Sequence, residues 1–129
     1  MPESEALTRG VRIHVESTYL PDQSRPAQGE WNFKYHVRIF NAGDQGVQLL
    51  SRHWIIEDAY GHTEEVRGPG VVGYQPVLEP GESFEYTSGC PLKTSFGSMR
   101  GTYQMVTRSG EQFDAEIAPF ALSEPHSIN

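Results

Sequence analysis

An all-β domain folded as an antiparallel sandwich is what this sequence predicts, on three observations. Apolar residues recur with a period of two along most of the chain. Clusters of Gly, Pro, Asn and Asp cut the chain into short pieces at regular intervals. No stretch carries the apolar stripe of an amphipathic helix. Seven to eight short strands separated in this way bury one face each by stacking as two sheets.

The elements follow in order. Val11, Ile13 and Val15 alternate with Arg12, His14 and Glu16, which gives a half-buried strand. Residues 21–29, rich in Pro, Asp, Gln, Ser and Gly, form a loop. Trp31, Phe33, Tyr35, Val37 and Ile39 then alternate with Asn32, Lys34, His36 and Arg38, and the Asn41-Ala42-Gly43-Asp44 cluster ends this second strand. Residues 47–58 are more continuously apolar, with Leu49, Leu50, Trp54, Ile55 and Ile56, and read as a central strand covered on both faces. Neighbouring β-branched residues and the Tyr60-Gly61-His62 turn weigh against a helix there. Residues 63–67 add a short strand. In Glu79-Pro80-Gly81-Glu82, Pro presets one φ and Gly accepts the positive one, the signature of a type II turn. Alternation resumes through Phe84 and Tyr86. Residues 99–107 and 112–119 pair as a hairpin about Ser109-Gly110, with Tyr103 and Met105 facing Phe113, Ala115 and Ile117. Trp31 and Trp54 are the large core candidates. The reading is one domain over residues 10–122, with polar tails at 1–9 and 123–129.

A chain of 129 residues buries roughly two-thirds of its unfolded surface, so neither disulfide nor metal is needed for stability. Cys90 is the single cysteine, which rules out an internal disulfide and a Cys-based zinc site and suits a reducing compartment. With no secretory signal and no apolar run long enough to cross a bilayer, a soluble cytoplasmic protein without membrane insertion is expected. Ten Lys and Arg against seventeen Asp and Glu give a net charge of −7, which opposes a broad grip on nucleic acid. Lys34, His36 and Arg38 alternate as a solvated strand face rather than a basic patch.

The most distinctive motif is Gly68-Pro69-Gly70-Val71-Val72-Gly73, which matches the G-x-G-x-x-G dinucleotide pattern. That pattern works only where a helix follows, and Pro76 with the Pro80-Gly81 turn leaves no room for one. A reduced role stays open. Gly68, Gly70 and Gly73 free the backbone to present N–H groups to an anion, with Arg67 beside them, against the plainer role of tight turns or a bulge. His14 and His36 would approach each other if the first two strands pair, yet the spacing of His14, His36 and His53 fits three independent histidines better than a metal site. Ser88-Gly89-Cys90 lacks the setting of a nucleophile, and adjacent carboxylates such as Glu57-Asp58 and Glu64-Glu65 read as solvated. No catalytic residue, metal site or cofactor is assigned.

These residues also converge on a known family. The run Gly70-Val71-Val72-Gly73, Gln75-Pro76, Leu78, Pro80-Gly81, Phe84, Tyr86, Ser88-Gly89 resembles the ApaG family. Gly97-Ser98-Met99-Arg100-Gly101 with Tyr103-Gln104-Met105 continues the likeness, and Arg52-His53-Trp54, Ile56 and Asp58 match upstream, so that it spans about residues 7–122. The resemblance implies a fibronectin type III-like sandwich. It implies a bacterial protein linked by genetic context to dinucleoside polyphosphate hydrolysis, cobalt resistance and magnesium efflux. Similar domains sit in a eukaryotic F-box protein and a polymerase-interacting protein, where they imply a protein-binding role. The family offers no established catalytic residue to carry over, and its glycine motif, here Gly68, Gly70 and Gly73, has been likened to pyrophosphate-binding loops. The expectation is therefore a non-enzymatic module with a protein partner, a monomer or weak homodimer, with a phosphate-containing small molecule as the alternative ligand.

Overall fold

A computed structural model describes residues 1–125. Nine strands run β1 (Glu3–Thr8), β2 (Val11–Tyr19), β3 (Trp31–Asn41), β4 (Val47–Asp58), β5 (Thr63–Pro69), β6 (Val77–Leu78), β7 (Ser83–Leu92), β8 (Phe96–Thr107) and β9 (Gln112–Ser123). They form two antiparallel sheets, one in the order β1-β2-β3-β7 and the other in the order β5-β4-β8-β9, with β6 beside β4. The architecture is the antiparallel β-sandwich that the alternation requires. Single 3₁₀ turns at Pro21–Gln23 and Pro26–Gln28 shape the β2–β3 connection.

Each sheet turns its apolar alternates inward. Val11, Ile13 and Val15 of β2 are fully buried, as are Val37 and Ile39 of β3, with Phe33 and Tyr35 next to them. Each such aliphatic or aromatic side chain contributes roughly 1.5–3 kcal/mol on leaving water. Opposite lie Trp54, Tyr103, Met105, Ala115, Ile117, Phe120 and Leu122. The β8–β9 hairpin has the expected register, Tyr103 against Ala115 and Met105 against Phe113. Gly81 carries φ +87 and the Glu82 amide donates to the Glu79 carbonyl, closing the Pro-Gly turn.

Three expectations need correction. Residues 1–9 are not a tail: Glu3–Thr8 pairs with β2 as an edge strand. At the other terminus Ser123 closes β9, and residues 126–129 of the expected tail lie outside the described residues. Second, β4 is hydrogen-bonded on both sides but is not covered on both faces. A bulge at Leu50 shifts its register, so Val47 and Leu49 face the core before it and Trp54 after it. Apolar residues therefore occupy both parities of one strand without two buried faces. β9 makes the same switch across Ala118–Pro119, from Ala115 and Ile117 to Phe120 and Leu122. Third, Trp54 is core, but Trp31 is only half-buried and its Nε1–H donates to Glu124 Oε2 at 2.9 Å. Cys90, the single cysteine, is buried.

The two layers close on one side only. There Ser4 Oγ donates to the Ala118 carbonyl (2.7 Å), Ser17 Oγ to the Ala121 carbonyl (2.6 Å), and the Ala121 amide to the Met1 carbonyl (2.6 Å). The opposite side is bounded by β5 and β7, each the outermost strand of its own sheet.

Candidate functional site

The glycine motif is the turn of a two-residue hairpin. The Val71 amide donates to the Tyr74 carbonyl and the Tyr74 amide to the Val71 carbonyl, both at 2.8 Å. Val72 (φ +44) and Gly73 (φ +86) between them are both in the left-handed region, the signature of a type I′ turn. Val71 is buried and pins the hairpin to the core.

The bulge at Leu50 supplies the anchor. Its carbonyl accepts the Gly70 amide (2.9 Å) and the Gln75 side-chain amide (2.9 Å). Arg52, two residues on, donates through Nη1 to the carbonyls of Pro69 and Gly70, each at 2.9 Å. Each glycine then has its own reason. A Cβ at Gly68 would sit 2.9 Å from Arg52 Nη2, so the bare backbone there seats the guanidinium. A Cβ at Gly70 would meet the Tyr74 carbonyl oxygen at 2.3 Å, and its φ is +59. Gly73 has open space around it and needs only its positive φ.

The Gly70 amide is thus spent on β4 and those of Val71 and Tyr74 inside the hairpin, while those of Val72 and Gly73 at the tip meet no acceptor among the described residues. Arg67 does not point along the loop. Strand alternation puts it on the outer face of β5 beside Glu65 (3.4 Å), and Glu65 also receives His53 Nε2 at 2.7 Å. That His53 hydrogen bond holds the Glu65 carboxyl below its usual range, against slight desolvation. The hairpin and the start of β6 carry exposed apolar side chains instead of charge: Val72, Tyr74 and Val77 are 52, 62 and 57% exposed. The Tyr74 ring leans on Phe84 at 5.9 Å.

The histidines stay apart. Register places His14 opposite Arg38 and His36 opposite Glu16, so the two are diagonal. Each turns to a carboxylate, His14 to Glu3 (2.9 Å) and His36 to Glu85 (2.8 Å), with Thr87 on the other ring nitrogen of His36. Among the described residues no three His, Cys, Asp or Glu side chains converge as metal ligands. Burial, with the Glu64 charge adding to it, pushes the Cys90 thiol up to about 12, which keeps it protonated near neutrality. No helix of the described residues is long and apolar enough to cross a membrane. Arg52 is the residue that sequence reasoning missed as the clasp of the loop, because only the bulge at Leu50 turns both toward it.

Fold and site together define a small sandwich protein whose glycine motif builds an apolar-tipped hairpin clasped by β4. Comparison with known proteins narrows this. The family model described as the ApaG domain matches residues 21–107. The chain is 58% identical over 126 residues to Protein ApaG of Anaeromyxobacter dehalogenans, covering 98% of this chain and 99% of that one. It is 55% identical over 120 residues to Protein ApaG of Rhodospirillum centenum, covering 93% and 92%. The crystal structure of an ApaA protein from Bordetella pertussis superposes with a TM-score of 0.88 at 48% identity, covering 98% of both chains. The C-terminal domain of wzt shares the fold alone, with a TM-score of 0.53 at 9% identity over 94% of this chain and 77% of that one. The chain belongs to the ApaG family.

Proposed function

We propose that this protein is a non-enzymatic interaction module that docks a partner protein on the hairpin tip, and that its tie to cobalt and magnesium handling runs through that partner. The observation carrying this reading is the presentation of Val72 and Tyr74 to solvent on a turn clasped by Leu50 and Arg52, with Val77 exposed on β6 just after it. Exposed apolar side chains on a rigid support lose little entropy on binding and suit a protein interface. The buried, protonated Cys90 thiol supports a non-catalytic role. The test is affinity capture from a native lysate with wild type and with Val72→Ser/Tyr74→Ser/Val77→Ser. Wild type should recover a reproducible partner and the folded triple variant should lose it; equal recovery would sink the hairpin as the docking surface.

A second reading rests on the two free amides at the tip. Val72 and Gly73 N–H groups, with Arg67, Gly68 and Gly70 nearby, would hold a phosphate or pyrophosphate. Titration of labelled protein with pyrophosphate should then move the Val72 and Gly73 amide signals saturably. Unmoved signals at millimolar ligand would end that idea.

A further inference from the structure

At the end of the sandwich away from the hairpin, the unclosed side opens into a groove of about 890 Å³. Trp31 and Leu92 line it from one sheet, Ile56, Asp58 and Glu64 from the other, with Glu30 and Lys93 at its rim. Ile56 and Asp58 share the inward parity of Trp54, and Glu64 that of Val66, both of which pack on the core. The second sheet therefore turns two carboxylates inward where a closed sandwich would carry aliphatic side chains. Glu64 lies near enough to the opposite sheet for its charge to act on Cys90 of β7.

The acidic groups are not equivalent. Asp58 Oδ1 already receives the amides of Tyr60 (2.9 Å) and His62 (3.0 Å), and His62 Nδ1 approaches Oδ2 at 3.4 Å. Those bonds outweigh desolvation and hold the Asp58 carboxyl below its usual range. The side chains of Glu30 and Glu64 make no hydrogen bond or ion pair with another described residue. Trp31 is a fixed wall, because its indole N–H is tied to Glu124. Beside the groove, the outer edge of β5 presents backbone groups that no strand pairs. Next to the groove the β7 edge carries Pro91, one residue before its end, which has no N–H to offer, so β5 is the better template.

We infer that this groove takes an extended segment of a partner protein carrying a lysine or arginine two positions from an aromatic or large aliphatic residue. Residues two apart in an extended chain point the same way. The segment adds to the β5 edge through its backbone, its cation reaches Glu64 and Glu30, and its apolar side chain lies on Trp31, Ile56 and Leu92. Glu30, Asp58 and Glu64 against Lys93 and the exposed His62 leave the groove acidic, and the protein's net charge of −7 steers a basic segment toward it. This rests on the interaction role proposed above but uses the opposite end of the molecule.

The probe is a short peptide alternating lysine and phenylalanine with polar spacers, and its twin with glutamate in place of lysine. Both are titrated into labelled full-length protein. The cationic peptide should shift the amides of β5 and the Trp31 indole N–H, while the acidic twin leaves them still. Glu64→Lys should weaken binding about tenfold, and Lys93→Glu should tighten it about threefold, a gain that misfolding cannot mimic. Shifts spread over the whole surface, equal binding of the twin, or an unchanged affinity in Glu64→Lys would each overturn the inference. The Val72→Ser/Tyr74→Ser/Val77→Ser variant should bind the peptide as wild type does. Loss of the hairpin's partner with retained peptide binding, or the reverse, therefore separates the two readings.

Discussion

Val72 holds a conformation its side chain resists. A β-branched residue at φ +44 brings Cβ toward the following carbonyl, at roughly 1–2 kcal/mol relative to glycine. Nothing local compensates, since the side chain is exposed; the hairpin's paired amides and the Leu50 and Arg52 clasps enforce the turn. Val72→Asn should therefore raise stability by about 1 kcal/mol in urea unfolding, asparagine tolerating this region, while removing apolar surface from the tip. Gly73 in the turn and Gly70 just before it should separate in the same assay. Gly73→Ala adds only conformational strain, about 1 kcal/mol. Gly70→Ala adds a backbone clash at 2.3 Å to its positive φ and should cost about 2 kcal/mol or more. Equal losses at both positions would show that the close approach to Tyr74 is not maintained.

At the scale of elements, β1 and the two bulges decide how the layers meet. β1 reads Glu3-Ser4-Glu5-Ala6-Leu7-Thr8, with Leu7 exposed, and its value lies in hydrogen bonds instead of apolar burial. Ser4 reaches the Ala118 carbonyl and Thr8 Oγ1 accepts the Glu116 amide (3.0 Å), both on β9 across the seam. Removing residues 1–9 frees those partners and uncovers the β2 edge. With net contributions of about 1 kcal/mol per bond, the truncated protein should lose roughly 3 kcal/mol in denaturant midpoint analysis. A truncation as stable as the full chain would mean that β9 finds solvent partners as good. The bulges act on parity: without the extra residue at Leu50, Trp54 would face solvent and its contacts with Tyr35 and Phe120 (centroids 5.2 and 6.0 Å) would be lost.

For the molecule as a whole, the core carries an alkaline limit. Tyr35, Tyr86 and Tyr103 lie between the sheets near Cys90, with the Tyr86 and Tyr103 hydroxyls bonded to each other. Burial raises the pKa of each above the ordinary 10.0 for tyrosine and 9.0 for cysteine. The unfolded chain loses these protons first, so stability is fully present below about pH 9 and falls as pH rises toward the folded values. The slope approaches about 1.4 kcal/mol per pH unit for each group titrating only when unfolded. On the acid side Asp58 and Glu65 are held low, so their contribution is present above the ordinary carboxylate range and is lost as pH falls through it. Chemical denaturation across pH should give a plateau near neutrality and a steeper decline above pH 9 than buried aliphatic residues alone would produce. A flat profile to pH 11 would mean that the tyrosines reach solvent.

Side-chain period was legible wherever a strand buries one face. Val11-Ile13-Val15, the Trp31 to Ile39 alternation, the Pro80-Gly81 turn and the Ser109-Gly110 hairpin all stand where local chemistry places them, because alternation and turn geometry are properties of a few consecutive residues. The likeness to the ApaG family was legible for the same reason, its motifs being contiguous. Polar β1 gave no apolar signal, since its stability comes from partners such as Ala118, 114 residues away from Ser4. The three glycines were visible in the chain, but what each one serves depends on the Leu50 carbonyl and the Arg52 guanidinium brought beside them by a bulge. The groove of Trp31, Ile56 and Glu64 had no sequence signal, because it exists only where two sheets part. Local sequence by itself determined the strands that bury one face and the turns between them; polar β1, the closing of one seam and the opening of the other were decided by tertiary structure, where hydrogen bonds and packing between distant strands compete.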